Sequence, residues 1–349
     1  MIEPAATRSN LTNLIHHWQS LTVLVIGDVI LDSYFVGNSD RLCQEAPVPV
    51  VAIQQRQDFP GGAANVAANI ASLGAQVFLL SVIGCDDEGE RLQQVLAESK
   101  ITAEHLIVSN EHRTLVKQRV VANNHLIVRF DYGSTKSLSS TLEQQLIGRL
   151  IQLFPRCDAV IISDYHYGTL TPRVIQFLAK LQAQLPRPIA IDTKQLSAYQ
   201  AVNATAIKPN YFEAIQLLKL AKQRHNRAEQ ITPYGDRLLQ LTGARIAAVT
   251  LDAEGAIVFE QGESPVRTTA QPVPQQQTSG AGDTFIATLT LALASHIPTH
   301  MAAVLATAAT AVVVQQPGTT RCTASALCQS FNHLNSQANQ SFSTQGTNE

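Results

Sequence analysis

Short apolar runs recur along this chain, rich in β-branched residues, and each stops at a polar side chain. Leu21–Ile26 ends at Gly27-Asp28, Ala159–Ser163 at Asp164 and Ile189–Ile191 at Asp192; Thr205–Lys208 runs to Asn210 and Ala247–Thr250 to Asp252. A strand apolar on both sides of its pleat has to be covered on both faces, which a parallel sheet between two helical layers provides. Segments of helical periodicity, Leu142–Phe154 among them, separate the runs. This alternation predicts an α/β fold with a central, mostly parallel sheet flanked by helices. Ligands of such folds bind beyond the carboxyl ends of the strands, so Asp28, Asp32 and Asp164 fall in informative places.

Residues 34–59 and 113–132 read differently. PVPVVAIQQRQ, LVKQRVVA and HLIVRFDY alternate apolar and polar residues, as strands with one wet face do. They predict a small, separate antiparallel sheet inserted into an α/β body that spans residues 21–330. An amphipathic helix is expected within residues 1–20, from Ser9 to Gln19, with Ser9 or Asn10 as its N-cap. From about Phe331 the chain is rich in Gln, Asn and Ser and poor in apolar anchors, so residues 331–349 are expected to be disordered.

Composition narrows the partners. The 349 residues carry 25 Lys+Arg against 27 Asp+Glu, a net charge of −2, without the basic excess that nucleic-acid binding requires. Five scattered cysteines show no CxxC spacing, which points to reduced thiols and a cytoplasmic chain. The first 20 residues lack the apolar core of a signal peptide. The longest apolar run, Ala302–Val314, falls short of the roughly 20 residues that span a bilayer and reads as a buried helix. The ten histidines show no HExxH or similar metal spacing.

Three segments could carry chemistry. TSGAGDTF, Thr278–Phe285, precedes the helical pattern IATLTLALA. Gly280, Ala281 and Gly282 would let the backbone approach a ligand, with free N–H groups aimed at an anion, and Asp283 in the first turn could accept a proton. The alternative is a turn with Asp283 capping the helix. FPGGAANVAANIASLGA places Gly61, Gly62 and Asn65 at the head of an Ala-rich helix, where Asn65 could bond a polyol hydroxyl through donor and acceptor alike. Tight helix–sheet packing is the alternative there. NYFE puts Asn210 and Glu213 on one helix face, either as oxygen ligands for hydrated Mg²⁺ or as a capping box.

GGAANVA early and TSGAGD late, about 215 residues apart with NxxE between them, resemble the signatures of the ribokinase-like (PfkB) carbohydrate kinases. The resemblance spans roughly residues 20–330. GDVILDSYFVG, RLCQEAPVPVV, the K-x-R-V stretch at 117–120, RFD at 129–131 and SDYHYGTL at 163–170 look most like the branch that phosphorylates D-glycero-β-D-manno-heptose 7-phosphate. The chain ends before the nucleotidyltransferase domain that follows in bifunctional members. The resemblance implies a ribokinase-like fold with the small sheet as a lid over the sugar. It also implies an ATP-dependent kinase acting on the anomeric hydroxyl, on the route to ADP-heptose and lipopolysaccharide.

By the same resemblance Asp283 would be the general base and Gly280–Gly282 the anion hole. Asp28, Asp32, Gly61, Gly62 and Asn65 match sugar-binding positions, with Asp164 a further candidate. Asn210 and Glu213 match the magnesium motif. ATP would lie along Thr250–Gly255 and the helix at 302–314, with Asn210, Gly280 and Gly282 against its phosphates and Lys194 reaching a nucleotide or sugar phosphate. A phosphorylated sugar needs a cationic clamp, drawn from Arg41, Lys117, Arg119 and Arg129. The alternative is that these are solvated charges guarding exposed strands. A homodimer through the lid is expected from its exposed alternating strands.

Three positions depart from the family pattern. Gln277 stands where the motif has an Asp tied to a monovalent-cation site, so it offers a carbonyl but no charge and leaves K⁺ use open. Asp252 replaces a frequent Gly or Ser, and Tyr167 replaces a lysine usual in the heptose kinases. Two other readings therefore stand beside the first: another sugar or nucleoside kinase of this fold, or a ligand-binding homologue with weakened turnover.

Overall fold

The strand β1 (Thr22–Gly27) sets the layering of the molecule. Its Val23 and Val25 point into one apolar cluster, and Leu24 and Ile26 point into another on the opposite face. The computed structural model describes residues 13–270, 280–315 and 320–331. Around β1 lie β4 (Gln76–Gly84), β5 (Leu106–Ser109), β8 (Ala159–Asp164), β9 (Ile189–Thr193), β10 (Ala206–Ile207) and β11 (Ile246–Thr250). All pair in parallel, and β12 (Ala256–Glu260) and β13 (Val266–Thr268) add an antiparallel edge. The order is β13-β12-β11-β10-β9-β8-β1-β4-β5.

Helices α2 (Ala63–Ser72), α9 (Ala281–Ala294) and α10 (Thr299–Val313) cover one face, after a short helix α1 at residues 13–18. α4 (Ser140–Leu153), α5 (Pro172–Gln184), α6 (Tyr211–Leu218), α7 (Arg227–Ile231) and α8 (Gly235–Thr242) cover the other. α9 is buried from Asp283 to Leu293, so its threonines cannot reach water. Thr288 and Thr290 instead donate to carbonyls one turn back, which satisfies them inside the helix. The run at 302–314 is the buried α10, in line with its composition. Phe331, the last described residue, is buried in the same cluster, so the chain stays packed up to that point.

β2 (Val29–Leu42), β3 (Pro49–Gly62), β6 (Leu115–Ala122) and β7 (His125–Tyr132) form a separate sheet in the order β3-β2-β6-β7. Its outer pairings are antiparallel, whereas the central β2–β6 pairing is parallel. The parallel pair follows from connectivity: the chain leaves β3, runs through α2, β4, α3 (Asp87–Glu98) and β5, and returns as β6 in the direction of β2. β2 and β3 also reach further toward the body than the alternation alone suggested, because Val29 pairs with Gly62 at the root of this sheet.

Candidate active site

β1 pairs with β4 on one side and β8 on the other, so the sheet changes direction of winding at β1/β8. A crevice opens at the carboxyl ends of strands at such a point. Asp28 follows β1 and is fully buried. Its Oδ2 accepts from the backbone N–H groups of Tyr165 and Tyr167 at 2.9 and 3.0 Å, and its Oδ1 from that of Thr169 at 3.2 Å. Burial raises its pKa, which these bonds partly counter. Asp28 therefore shapes the 165–169 loop. Asp164 acts similarly, accepting from Thr193 Oγ1 at 3.0 Å, from the Tyr199 hydroxyl at 2.8 Å and from the His166 N–H at 2.8 Å.

The two glycine-rich segments, distant in sequence, meet where α2 crosses α9. Asn65 Nδ2 donates to Asp283 Oδ2 at 2.7 Å, and one turn on Thr284 Oγ1 donates to Asn69 Oδ1 at 2.7 Å. Gly62 precedes α2 with φ of 57°, where a β-carbon would also run into the Asp28 carbonyl. Gly280 caps α9 in the left-handed region, and Ala281 and Gly282 open the helix. Asp283, in the first turn, also accepts from the Tyr165 hydroxyl on Oδ1 at 3.1 Å. Burial lifts its pKa to about 6; Asn65, Lys208 and Tyr165 limit the rise, and Asp192 adds to it.

A cavity of about 250 Å³ opens in front of Asp283, lined by Asp192, Lys194, Lys208, Asn210 and Glu213 as well as Gly280 and Gly282. Lys208 Nζ lies 3.1 Å from Asp192 Oδ2. Burial disfavours its ammonium, but Asp192, Glu213 and Asp283 outweigh that and hold its pKa above the ordinary value. A β-carbon on Gly282 would stand 3.1 Å from Lys208 Nζ, so glycine there keeps the anion-facing backbone open beside the cation. Asn210 and Glu213 form a full capping box: Asn210 Oδ1 accepts from Glu213 N–H at 2.9 Å and Glu213 Oε2 from Asn210 N–H at 2.8 Å. That leaves one carboxylate oxygen of Glu213 for other work. Among the described residues no cluster of three or more His, Cys, Asp or Glu forms a metal cage. The donors fit a hard cation held through water beside phosphates.

Thr250 is bridged to Asn210 and so adjoins the cavity. Gly255 lies further out, with φ of 88° and packed on Thr268. Asp252 is tied to Arg227 at 2.8 Å, a local reason for an acidic residue there. Gln277, the segment before Gly280 and the tail beyond Phe331 lie outside the described residues, as does the expected cap at Ser9 or Asn10.

The small sheet presents two cross-strand rows: Asp32, Lys117 and Asp131, then Tyr34, Arg119 and Arg129. Asp32 Oδ1 and Arg119 Nη1 pair at 2.6 Å, and the guanidinium covers the Tyr34 ring. A β-carbon on Gly61 would overlap the Asp32 carboxylate. Arg129 is half-exposed and paired with Asp131 at 3.1 Å. Arg41 is exposed at the far end of β2. Lys117 forms no ion pair among the described residues; its Nζ sits 5.2 and 5.7 Å from the ring centres of Tyr165 and Tyr167. Burial lowers its pKa, which Asp32 and Asp131 partly restore.

Sequence reasoning missed Lys208 and Tyr165 and used Asp192 only as a strand terminus. A lysine closing an apolar strand at the ligand end of a parallel sheet is the signal that could have found Lys208.

Residues 20–326 match the model of the pfkB family carbohydrate kinases, and the chain belongs to that family. It is thus a carbohydrate kinase. It is 33% identical over 317 residues to the bifunctional protein HldE of Koribacter versatilis, covering 89% of this chain and 64% of that protein. To the HldE of Caulobacter vibrioides it is 34% identical over 313 residues, covering 88% and 62%. The chain thus spans somewhat over three fifths of the length of these relatives. In structure it resembles Escherichia coli phosphofructokinase-2 in complex with potassium (TM-score 0.73, 20% identity, 90% of this chain and 99% of that one). It also resembles Arabidopsis thaliana ribokinase complexed with ribose and ATP (TM-score 0.69, 18% identity, 89% and 98%). No helix among the described residues is long and apolar enough to cross a membrane.

Proposed function

We propose that this kinase transfers the γ-phosphoryl group of ATP to the anomeric hydroxyl of D-glycero-β-D-manno-heptose 7-phosphate, giving the 1,7-bisphosphate. The observation that carries the reading is the buried Asp283 at the head of α9, facing a cavity that also holds Lys208. The heptose assignment draws on the lid and loop motifs and on the identity to HldE proteins.

Asp283 takes the proton of the C1 hydroxyl as its oxygen bonds to the γ-phosphorus, and the bridging oxygen leaves with ADP. A base with a pKa of about 6 is ionised at neutral pH and remains basic enough to assist. Backbone N–H groups at the start of α9, with Lys208 beside them, take up charge on the phosphoryl oxygens. Asn210 and Glu213 would hold Mg²⁺ through water, and that ion would neutralise phosphate charge. Of the four lid cations Lys117 suits the sugar's own phosphate best, because Arg119 and Arg129 already pair with carboxylates and Arg41 is remote. Potassium accompanies the Escherichia coli phosphofructokinase-2 structure; Gln277 would bring a carbonyl but no charge to such a site here.

Asp283→Asn tests the base. The variant should bind ATP and sugar yet lose about 10²–10⁴ in turnover; near wild-type turnover would overturn the assignment. A second copy of the chain is the occupant we propose for the apolar edge of the lid, where Leu126, Val128 and Phe130 are 58, 48 and 44% exposed. Light scattering at micromolar concentration should give the mass of two chains, and a single-chain mass would reject it.

A further inference from the structure

We infer that Tyr165 is a positioning residue that occupies Asp283 until a sugar arrives, and that Lys117 of the lid holds Tyr165 in that place. The inference rests on the reading of Asp283 as the base.

Both oxygens of Asp283 are engaged. Asn65 holds Oδ2 from a fully buried stretch of α2, and its own main-chain carbonyl accepts from Asn69 at 2.9 Å, so this contact is fixed. Oδ1 is then the oxygen whose partner can yield to a sugar hydroxyl, and there the Tyr165 hydroxyl now donates. The Tyr165 backbone is pinned by its N–H bond to Asp28, which leaves the side chain as the part that can yield. Its ring stacks with Tyr167 at 6.4 Å and 10°, and Lys117 Nζ lies over both rings. An ammonium over an aromatic face is attracted by the ring quadrupole, and this contact ties the lid to the loop.

Lys117 is free of any ion pair among the described residues, so an anionic group on an incoming sugar offers it a stronger partner than two rings. As Lys117 turns to that anion, Tyr165 loses its cover and cedes Oδ1 to the sugar hydroxyl. Without sugar, the Tyr165 hydroxyl competes with water for Oδ1 and makes the carboxylate a weaker base. Slowed by this competition is the side reaction in which water forms the new P–O bond, its proton passes to Asp283 and ADP departs. The other charged groups lining the cavity are Asp164, Asp192, Lys194, Lys208 and Glu213, and Asp192 and Asp32 also act on Tyr165. None of them bonds Oδ1.

The test is ADP release from Mg·ATP alone and with heptose 7-phosphate, for the wild type, Tyr165→Phe and Lys117→Ala. Tyr165→Phe should raise sugar-independent release at least severalfold relative to the sugar-dependent rate. It should also move the acid limb of kcat/KM upward by about one pH unit, since the lost hydrogen bond favoured the carboxylate. Lys117→Ala keeps the hydroxyl and should raise the sugar-independent rate itself by less, a readout that lost sugar binding does not move, so it serves even where the phenylalanine variant folds poorly. Sugar-independent release at the wild-type rate in both folded variants, with an unmoved acid limb, would overturn the inference. Turnover retained by Asp283→Asn would instead overturn the reading beneath it.

Discussion

Asp283 should cost the protein stability at the pH where it works. Its pKa is raised from an ordinary 3.8 to about 6, chiefly because the carboxylate is buried. A carboxyl whose folded pKa exceeds its unfolded value favours the fold while protonated. That contribution is complete below pH 3.8 and is lost as the pH rises through about 6. At pH 8 the penalty for ionisation is on the order of 3 kcal/mol, taking about 1.4 kcal/mol per pH unit. Asp283→Asn removes it, and the carboxamide can keep both neighbours: its oxygen accepts from Asn65, and its NH₂ donates to the Tyr165 hydroxyl. Lys208 retains Asp192. A chain of this size should then melt about 4 °C higher at pH 8. Calorimetry of both proteins at pH 8 and pH 4 checks this, with the gain vanishing at pH 4, where the wild-type carboxyl is already largely neutral. No gain at pH 8, or an equal gain at both pH values, would refute the argument.

Two further outcomes follow from the same site. Asp28→Asn places an amide NH₂ against backbone N–H groups that now share a carboxylate, so urea unfolding should show a loss of about 2–4 kcal/mol, with KM for sugar rising as the 165–169 loop loosens. The profile of kcat/KM against pH should fall on its acid side near pH 6, where Asp283 gains its proton; a limb near pH 4 would place the base elsewhere.

The layered body was legible because β1, β8, β9 and β11 are apolar on both faces and stop at polar residues, a pattern only a covered parallel sheet satisfies. The lid was legible as alternating strands. Its parallel centre was not, since direction of pairing depends on the long crossover from β3 to β6 rather than on any local pattern. Within the site, Asp283 and Asn65 could be named from their motifs, but not that they bond each other across 218 positions. Asp28 and Asp164 read as ligand-facing carboxylates because they end strands. Their oxygens are engaged by the 165–169 loop and by Thr193 and Tyr199, contacts that sequence distance conceals. Lys117 and Arg119 looked alike as lid cations. The register places Lys117 beside Asp32, yet it is the Arg119 side chain that reaches diagonally to that carboxylate while Lys117 turns over two tyrosine rings, and only this placement separates them.

The most direct measurement is ADP release with Mg·ATP across heptose 7-phosphate, fructose 6-phosphate, ribose, fructose and adenosine, each with and without K⁺. Turnover confined to heptose 7-phosphate is the result expected from Lys117 facing a phosphorylated sugar above Asp283. Turnover on an unphosphorylated acceptor alone, or none at all with ATP still bound, would contradict it.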